Sequence, residues 1–400
     1  MRAHGLIAVV VLFLISSSWA QPAVLQLKQL PPRAKASVYV PDPYAIPLPE
    51  QGAYTGAYCP DPDLHLVTEK SIYDFESMAG KRAFFVHVFV PWMEDNPVGD
   101  STFLPFPTLT CEMIRRRGSI PLITWQANLE AKDDEKGYLL DRITKGEFDN
   151  HIRAWAEKIK QHPGPVLLRW GAEMNGDWFP WSGAQNGGNK PLPGPAEPGP
   201  SGPARFRRTW IHIHDIFKIE NVSNVRWVWS VYHSNPASQS WNEPQAYWPG
   251  DDRVDWIGIS AVNWSLANRD GWKKWKTFVE LMDGCYRKLT AMFPAKPILL
   301  AEWACANQAD RGDGDKSLWI QEALKALPKR YPGVKAVCWY NDSMEAQPGF
   351  YPSNFRLDFT PHRKTYAQGI GTAYYWDRIP KQAMPKQAIP KQAKQVVKGR

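Results

Sequence analysis

Eight short runs rich in β-branched and aromatic residues recur along this chain, separated by longer amphipathic stretches, and that alternation limits the fold more than any other feature. The runs are 52–58, 83–90, 120–125, 166–171, 225–230, 254–260, 298–302 and 334–340. Helical patterns fall between most of them, among them 148–161, 206–219, 272–293 and 317–327. Strands that alternate with helices build parallel βαβ units. Eight such units make a closed (β/α)8 TIM barrel, an α/β fold in one catalytic domain. An open doubly wound sheet shares the alternation, but it ordinarily grips a nucleotide through a Gly-rich turn. The sequence contains no GxGxxG, P-loop or GxSxG.

Outside the barrel pattern, assigned to residues 52–376, the two ends have their own character. Arg2 precedes an apolar run from Leu6 to Ile15, closed by small residues at Ser18 and Ala20. A membrane span needs about 20 apolar residues, so residues 1–20 read as a cleavable signal peptide and the protein as secreted or periplasmic. Residues 21–51 are a Pro-rich extension. In residues 377–400 the unit PKQA recurs, too rich in proline for a helix and too polar for a core, which predicts a disordered basic tail. From Ile379 to the end there are six basic residues (Lys381, Lys386, Lys391, Lys394, Lys398, Arg400) and no acid; removing them and Arg2 from the formal +8 leaves +1 for the body. The basic character therefore gives no sign of a nucleic-acid surface. Five cysteines (Cys59, Cys111, Cys285, Cys305, Cys338) fit no CxxC pattern, and an exported chain has room for one disulfide or two.

In such barrels the chemistry sits at the C-terminal ends of the strands. Two strand ends carry a carboxylate. The fourth run leads into Glu173, followed by Asn175, Trp178, Phe179 and Trp181; the seventh ends at Glu302 beside Trp303. Retaining glycoside hydrolysis needs two carboxyl groups about 5–5.5 Å apart, one to protonate the leaving oxygen and one to attack the anomeric carbon. Glu173, in aromatic surroundings that favour the protonated form, suits the acid/base, and Glu302 the nucleophile. The competing interpretation is that each Glu is half of an ordinary ion pair, with Arg169 as an obvious partner. Many of the 20 tryptophans lie near strand ends, where flat rings can cover the apolar faces of sugars. The expected substrate contacts are Trp178, Asn175, Trp181, Trp125, Trp264, Asn263, Trp303 and Trp339.

These motifs resemble glycoside hydrolase family 26, whose members include β-mannanases, β-1,3-1,4-glucanases and β-1,3-xylanases. The resemblance spans roughly residues 50–376 and is strongest at Glu173-Met-Asn-Gly-Asp-Trp-Phe-Pro-Trp181, which looks like the family's acid/base segment with its active-site Trp at Trp178. The sixth run with Asn263-Trp264 and the segment from Lys296 to Glu302 look like the sixth strand and the nucleophile strand. Three positions depart: Ala172 stands where the family usually has His, Val262 where it has Tyr, and Trp303 where Phe is common. The resemblance implies a retaining endo-β-glycanase acting as a monomer on a polysaccharide, β-1,4-mannan first, with mixed-linkage β-glucan or a bacterial exopolysaccharide behind it. A non-catalytic carbohydrate-binding barrel is the alternative that Ala172 and Val262 favour. The two-carboxylate mechanism needs no cofactor or metal.

His212 and His214 do not share a helix face at a spacing of two, so no metal pair is expected. Asp255 begins its strand, at the bottom of the barrel, and reads as structural. The Pro/Gly-rich stretch from Gly183 to Arg205 follows the acid strand and is expected to form a flap over the groove.

Overall fold

The computed structural model describes residues 42–95, 100–133, 135–192, 200–236, 238–264, 275–306, 315–344 and 353–380. The expected signal peptide and most of the extension and tail lie outside the described residues. All eight expected strands form: β1 Ala53–Tyr58, β2 Phe85–Pro91, β3 Ile120–Gln126, β4 Val166–Trp170, β5 Val225–Tyr232, β6 Trp256–Asn263, β7 Ile298–Cys305 and β8 Val334–Tyr340. They pair in parallel in chain order, and β8 returns to β1 from Tyr54↔Ala336 to Tyr58↔Tyr340, which closes the barrel. A short strand, Tyr375–Trp376, adds on beside the start of β1.

The helices are α1 Glu69–Ala79, α2 Thr108–Arg116, α3 Leu139–Thr144, α4 Asp149–Gln161, α5 Ser201–Ile219, α6 Phe278–Met292, α7 Lys316–Arg330 and α8 Thr360–Ile370. Their starts follow local chemistry: Thr68 with Ser71, and Thr277 with Glu280, form capping boxes, and the Asp315 carboxylate accepts from Ser317 and Leu318 N–H. α5 begins earlier than its apolar pattern, because Pro203 is tolerated in a first turn. Between β5 and β6 the described chain makes only 3-10 turns. No helix among the described residues is long and apolar enough to cross a membrane.

Two apolar cores result. Tyr54, Phe85, Leu122, Leu167, Val228, Trp256, Leu299 and Ala336 fill the lower barrel, with Ile46 and Ile379 packed against them. Parts of both flanks therefore belong to the body: Tyr54 donates to the Pro47 carbonyl at 2.6 Å and Lys335 to that of Glu50 at 3.0 Å. The second and larger core lies between barrel and helices. All five cysteines are buried and free, so no disulfide forms. Burial pushes every one of these thiols up, Cys59 and Cys285 to about 12.

Candidate active site

Above the apolar floor the barrel interior turns polar. His87, Thr124, Arg169, Ser230 and Ser260 sit at inward positions of β2 to β6 and are all buried. Arg169 organises them. Its Nε donates to Ser230 Oγ at 2.9 Å, one terminal nitrogen to Thr124 Oγ1 at 3.1 Å and the other to Ser260 Oγ at 2.7 Å. The first of those nitrogens also donates to Glu302 Oε1, while the second lies 3.9 Å from Glu173 Oε1. His87 Nε2 and Thr124 Oγ1 are 2.7 Å apart, and burial first, then the Arg169 charge, hold this imidazole well below the usual histidine range. It is neutral, and one buried cation faces two carboxyl groups.

Burial and that imbalance together set the protonation of the pair. A buried charge is tolerable when it is paired, and one guanidinium compensates one carboxylate. Glu302 holds the hydrogen bond to Arg169. Glu173 is 8% exposed, and burial, reinforced by the Glu302 charge, raises its pKa from 4.5 to about 7, against the opposing pull of Arg169, Ser260 and Trp178. Near neutral pH the arrangement can thus hold a proton on Glu173 and a negative charge on Glu302.

Backbone irregularities aim both groups. After β4 the chain passes through Gly171 at φ +59° and then Glu173 itself at φ +57°, a left-handed conformation that costs a non-glycine residue about 1–3 kcal/mol. A Cβ at Gly171 would lie 2.7 Å from the Phe206 ring, so this turn needs its glycine. The strained Glu173 is held from several sides: its N–H donates to Ser230 O at 2.9 Å, and Trp178 Nε1 donates to its Oε2 at 3.0 Å. On the opposite wall, β7 carries one residue more than its neighbours. Leu300 pairs with Ile259 but Glu302 with Ser260, and Ala301 and Glu302 together face Cys338 of β8. The bulge turns Glu302 inward, although Ala301 before it already points there. β7 also runs on to Cys305, so Glu302 lies within the strand rather than at its end.

The expected sugar contacts divide sharply. Trp178 is 43% exposed and packs edge-on against Tyr232 at 4.8 Å, and Trp264 is half-buried against Phe355 at 5.0 Å. Both can offer a ring surface at the mouth. Trp125, Trp181, Trp303 and Trp339 cannot, because they are fully buried. Trp125 stacks on Trp155 of α4 at 4.5 Å and Trp303 on Trp319 of α7 at 6.0 Å, with the Trp339 ring edge-on to Trp303 at 4.8 Å. Trp181 stacks on Phe179 and donates to the Ala172 carbonyl at 2.7 Å, bracing the acid segment from behind. Asn175 and Asn263 are also corrected from contact to support. Asn175 donates to Tyr232 O and Ser234 O and accepts from Tyr232 N–H, tying the acid segment to β5, while Asn263 donates to Lys276 O at 2.9 Å.

Sequence reasoning passed over the rings that do line the mouth. Tyr58 and Tyr340 end β1 and β8, and Phe89 lies two residues before the end of β2, all on the inward side and half-buried, with Tyr58 4.7 Å from Phe89 and 5.1 Å from Tyr340. The charges of Glu302 and Glu173 are among the causes that raise the Tyr340 phenol, and Glu302 among those that raise Tyr58, which places this wall beside the carboxylates. Their signal was available: counted by twos, they continue the inward series of their strands, Tyr54-Gly56-Tyr58, Phe85-His87-Phe89 and Ala336-Cys338-Tyr340. Of the other features, Asp255 Oδ2 accepts the Trp227 N–H, a structural bond, and His212 pairs with Asp149 at 2.7 Å.

A closed parallel barrel with two carboxyl groups on one guanidinium inside its mouth is the architecture of a barrel glycosidase. Residues 123–323 match the family model described as Glycosyl hydrolase family 26, and the chain belongs to that family. It is 27% identical over 313 residues to endoglucanase H of Acetivibrio thermocellus, covering 76% of this chain and 29% of that protein. It is 26% identical over 134 residues to a β-1,3-xylanase of an Alcaligenes species, covering 32% of this chain and 24% of the other. The chain spans under a third of the length of these curated relatives. Among solved structures it resembles a β-mannanase of Bacteroides ovatus, with a TM-score of 0.56 and 15% identity over 84% of this chain and 94% of that one. A Bacillus subtilis mannanase gives 0.54 and 17% over 82% and 87%. At such identities the structural likeness concerns the fold.

Proposed function

We propose that this protein is a secreted, retaining endo-β-glycanase, with Glu302 as nucleophile, Glu173 as acid/base and β-1,4-mannan as the first substrate to test. The observation that carries the reading is the shared guanidinium: Glu302 bonds one terminal nitrogen of Arg169 and Glu173 lies 3.9 Å from the other. Two carboxyl groups on neighbouring atoms of one planar cation support the short spacing of retaining enzymes over the roughly 6.5–9.5 Å of inverting ones. In the first step Glu302 attacks the anomeric carbon while Glu173 gives its proton to the departing oxygen. In the second, Glu173 takes a proton from water, which displaces Glu302 from the sugar. Trp178, donating to Glu173 Oε2 and partly open to solvent, is placed to hold the acid and cover a sugar face together. Export rests on the run from Leu6 to Ile15 and the small residues at Ser18 and Ala20.

The test is a panel of mannan, galactomannan, glucomannan, mixed-linkage glucan and β-1,3-xylan, following new reducing ends and the anomer first released. Cleavage of one polymer with retained configuration, abolished in both Glu173→Ala and Glu302→Ala, is the expected result. Silence across the panel with binding to a polymer intact would transfer the protein to the class of carbohydrate-binding barrels, and inverted product would overturn the role given to Glu302.

A further inference from the structure

The loops after β3 and β4 border an open groove of about 630 Å³ that the two carboxyl groups do not use. One wall is a hairpin, Lys132–Asp133 against Gly137–Tyr138, with Glu130 just before it in the chain; the other is the segment bearing Gln185, Gly187 and Lys190. This second wall is the described beginning of the expected flap, and it is anchored at its base: Ser201 N–H donates to Lys190 O at 2.8 Å and Gly202 N–H to Gly188 O at 3.0 Å.

The two walls are fastened to each other by buried groups. Asn186 accepts from Leu140 N–H, just past the hairpin, and donates to Pro180 O and Ser182 O. Arg205 lies 4.3 Å from the centre of the Tyr138 ring, donates to Asp141 Oδ2 at 2.7 Å and reaches the Asn186 carbonyl at 2.9 Å. A groove held by so many internal bonds keeps its shape without an occupant, which lowers the entropy lost on binding. Its volume is that of a ligand site, about 300–1,000 Å³.

Gln185 Nε2 donates to Asp177 O at 2.6 Å, so the inner wall continues the same segment that carries Glu173 and Trp178. If Glu173 protonates the leaving oxygen, the chain beyond that oxygen departs along this side. We propose that the groove docks the leaving-group end of a long β-linked glycan, an inference that rests on the glycanase reading. The chemistry fits a sugar chain: Tyr138 supplies a ring, Gln185 an amide, and Glu130, Lys132 and Lys190 charges of both signs that bond hydroxyls.

The experiment measures kcat/KM for a polymer and for its oligosaccharides of decreasing length, in the full chain and in Tyr138→Ala, Tyr138→Phe and Gln185→Ala/Lys190→Ala. Loss of one ring contact or a hydrogen bond or two predicts about a tenfold fall on the polymer, carried by KM and shrinking as the substrate shortens. Tyr138→Phe should keep most of the wild-type value. An equal loss at every length, or no loss in the exposed double variant, would overturn the proposal. Should the wild type cleave nothing, the glycanase reading fails by itself. Affinity electrophoresis in gels holding the same polymers then decides the groove: retardation lost in the groove variants supports a glycan site, and retardation unchanged or absent overturns it.

Discussion

Consecutive residues of this barrel lead opposite lives. Arg169 faces a network of hydroxyls and carboxylates while Trp170 stacks on Phe206 of α5 at 5.4 Å; Glu302 reaches into the mouth while Trp303 is sealed against α7. The outward layer is a shell of fully buried rings, chosen for volume and contact. The inward layer at the same height is polar, half-open and partly strained. Since side chains alternate along a strand, one residue of sequence separates a packing role from a chemical one. An aromatic-rich strand end is therefore no sign of a sugar site until its parity is known.

Substitution tests this division. Glu173→Ala should lower kcat on the polysaccharide about 10²–10⁴-fold, the usual contribution of a general acid–base group, while leaving the melting temperature no lower than that of the wild type. Trp303→Ala should do the converse, costing about 3–5 kcal/mol in urea unfolding while the folded fraction turns over normally. A tryptophan-shell variant that lost kcat at undiminished stability would break the comparison. Trp303→Phe sharpens it: the indole N–H makes no hydrogen bond among the described residues, so ring volume alone should matter and the loss should be far smaller.

A third effect depends on pH. The folded-state pKa of Glu173 is raised from 4.5 to about 7, so between those values the native protein binds more protons than the unfolded chain and loses stability as pH rises. Glu173→Gln should therefore match the wild type below about pH 4.5 and exceed it by up to about 3 kcal/mol above pH 7, since each tenfold change in proton affinity is worth about 1.4 kcal/mol. Chemical denaturation at pH 4 and pH 8 measures this, and a stabilisation independent of pH would assign it to packing instead. The same proton gives kcat/KM of the wild type a descending limb near pH 7. The smallest effect concerns Trp178→Ala. Its exposure leaves only the hydrogen bond to Glu173 to lose, which predicts a stability change of about 1 kcal/mol, with KM rising more than kcat falls.

The barrel was legible because each strand is a short apolar run, and all eight appear within a few residues of their expected bounds. Glu173 and Glu302 were legible as carboxylates closing such runs. What could not be read was orientation. Trp125, Trp303 and Trp339 read as groove residues because a series of strand ends carries no inside and outside, and the bulge at Ala301 and Glu302 breaks even a correct count by two. Arg169 was visible only as a reason to doubt the glutamates. Its contacts with Ser230, Ser260 and Thr124 join four strands far apart in sequence, and only closure of the barrel brings them together.

The five buried thiols give the protein a built-in reporter. With no disulfide to break and every sulfhydryl both enclosed and kept protonated, the native state offers an alkylating reagent almost nothing to react with. Modification must wait for opening of the barrel, so the rate of labelling by a thiol-reactive dye counts excursions from the folded state directly. Because Cys59 and Cys338 flank the barrel seam while Cys111 and Cys285 sit on helices, site-by-site labelling would also tell which part of the wall parts first.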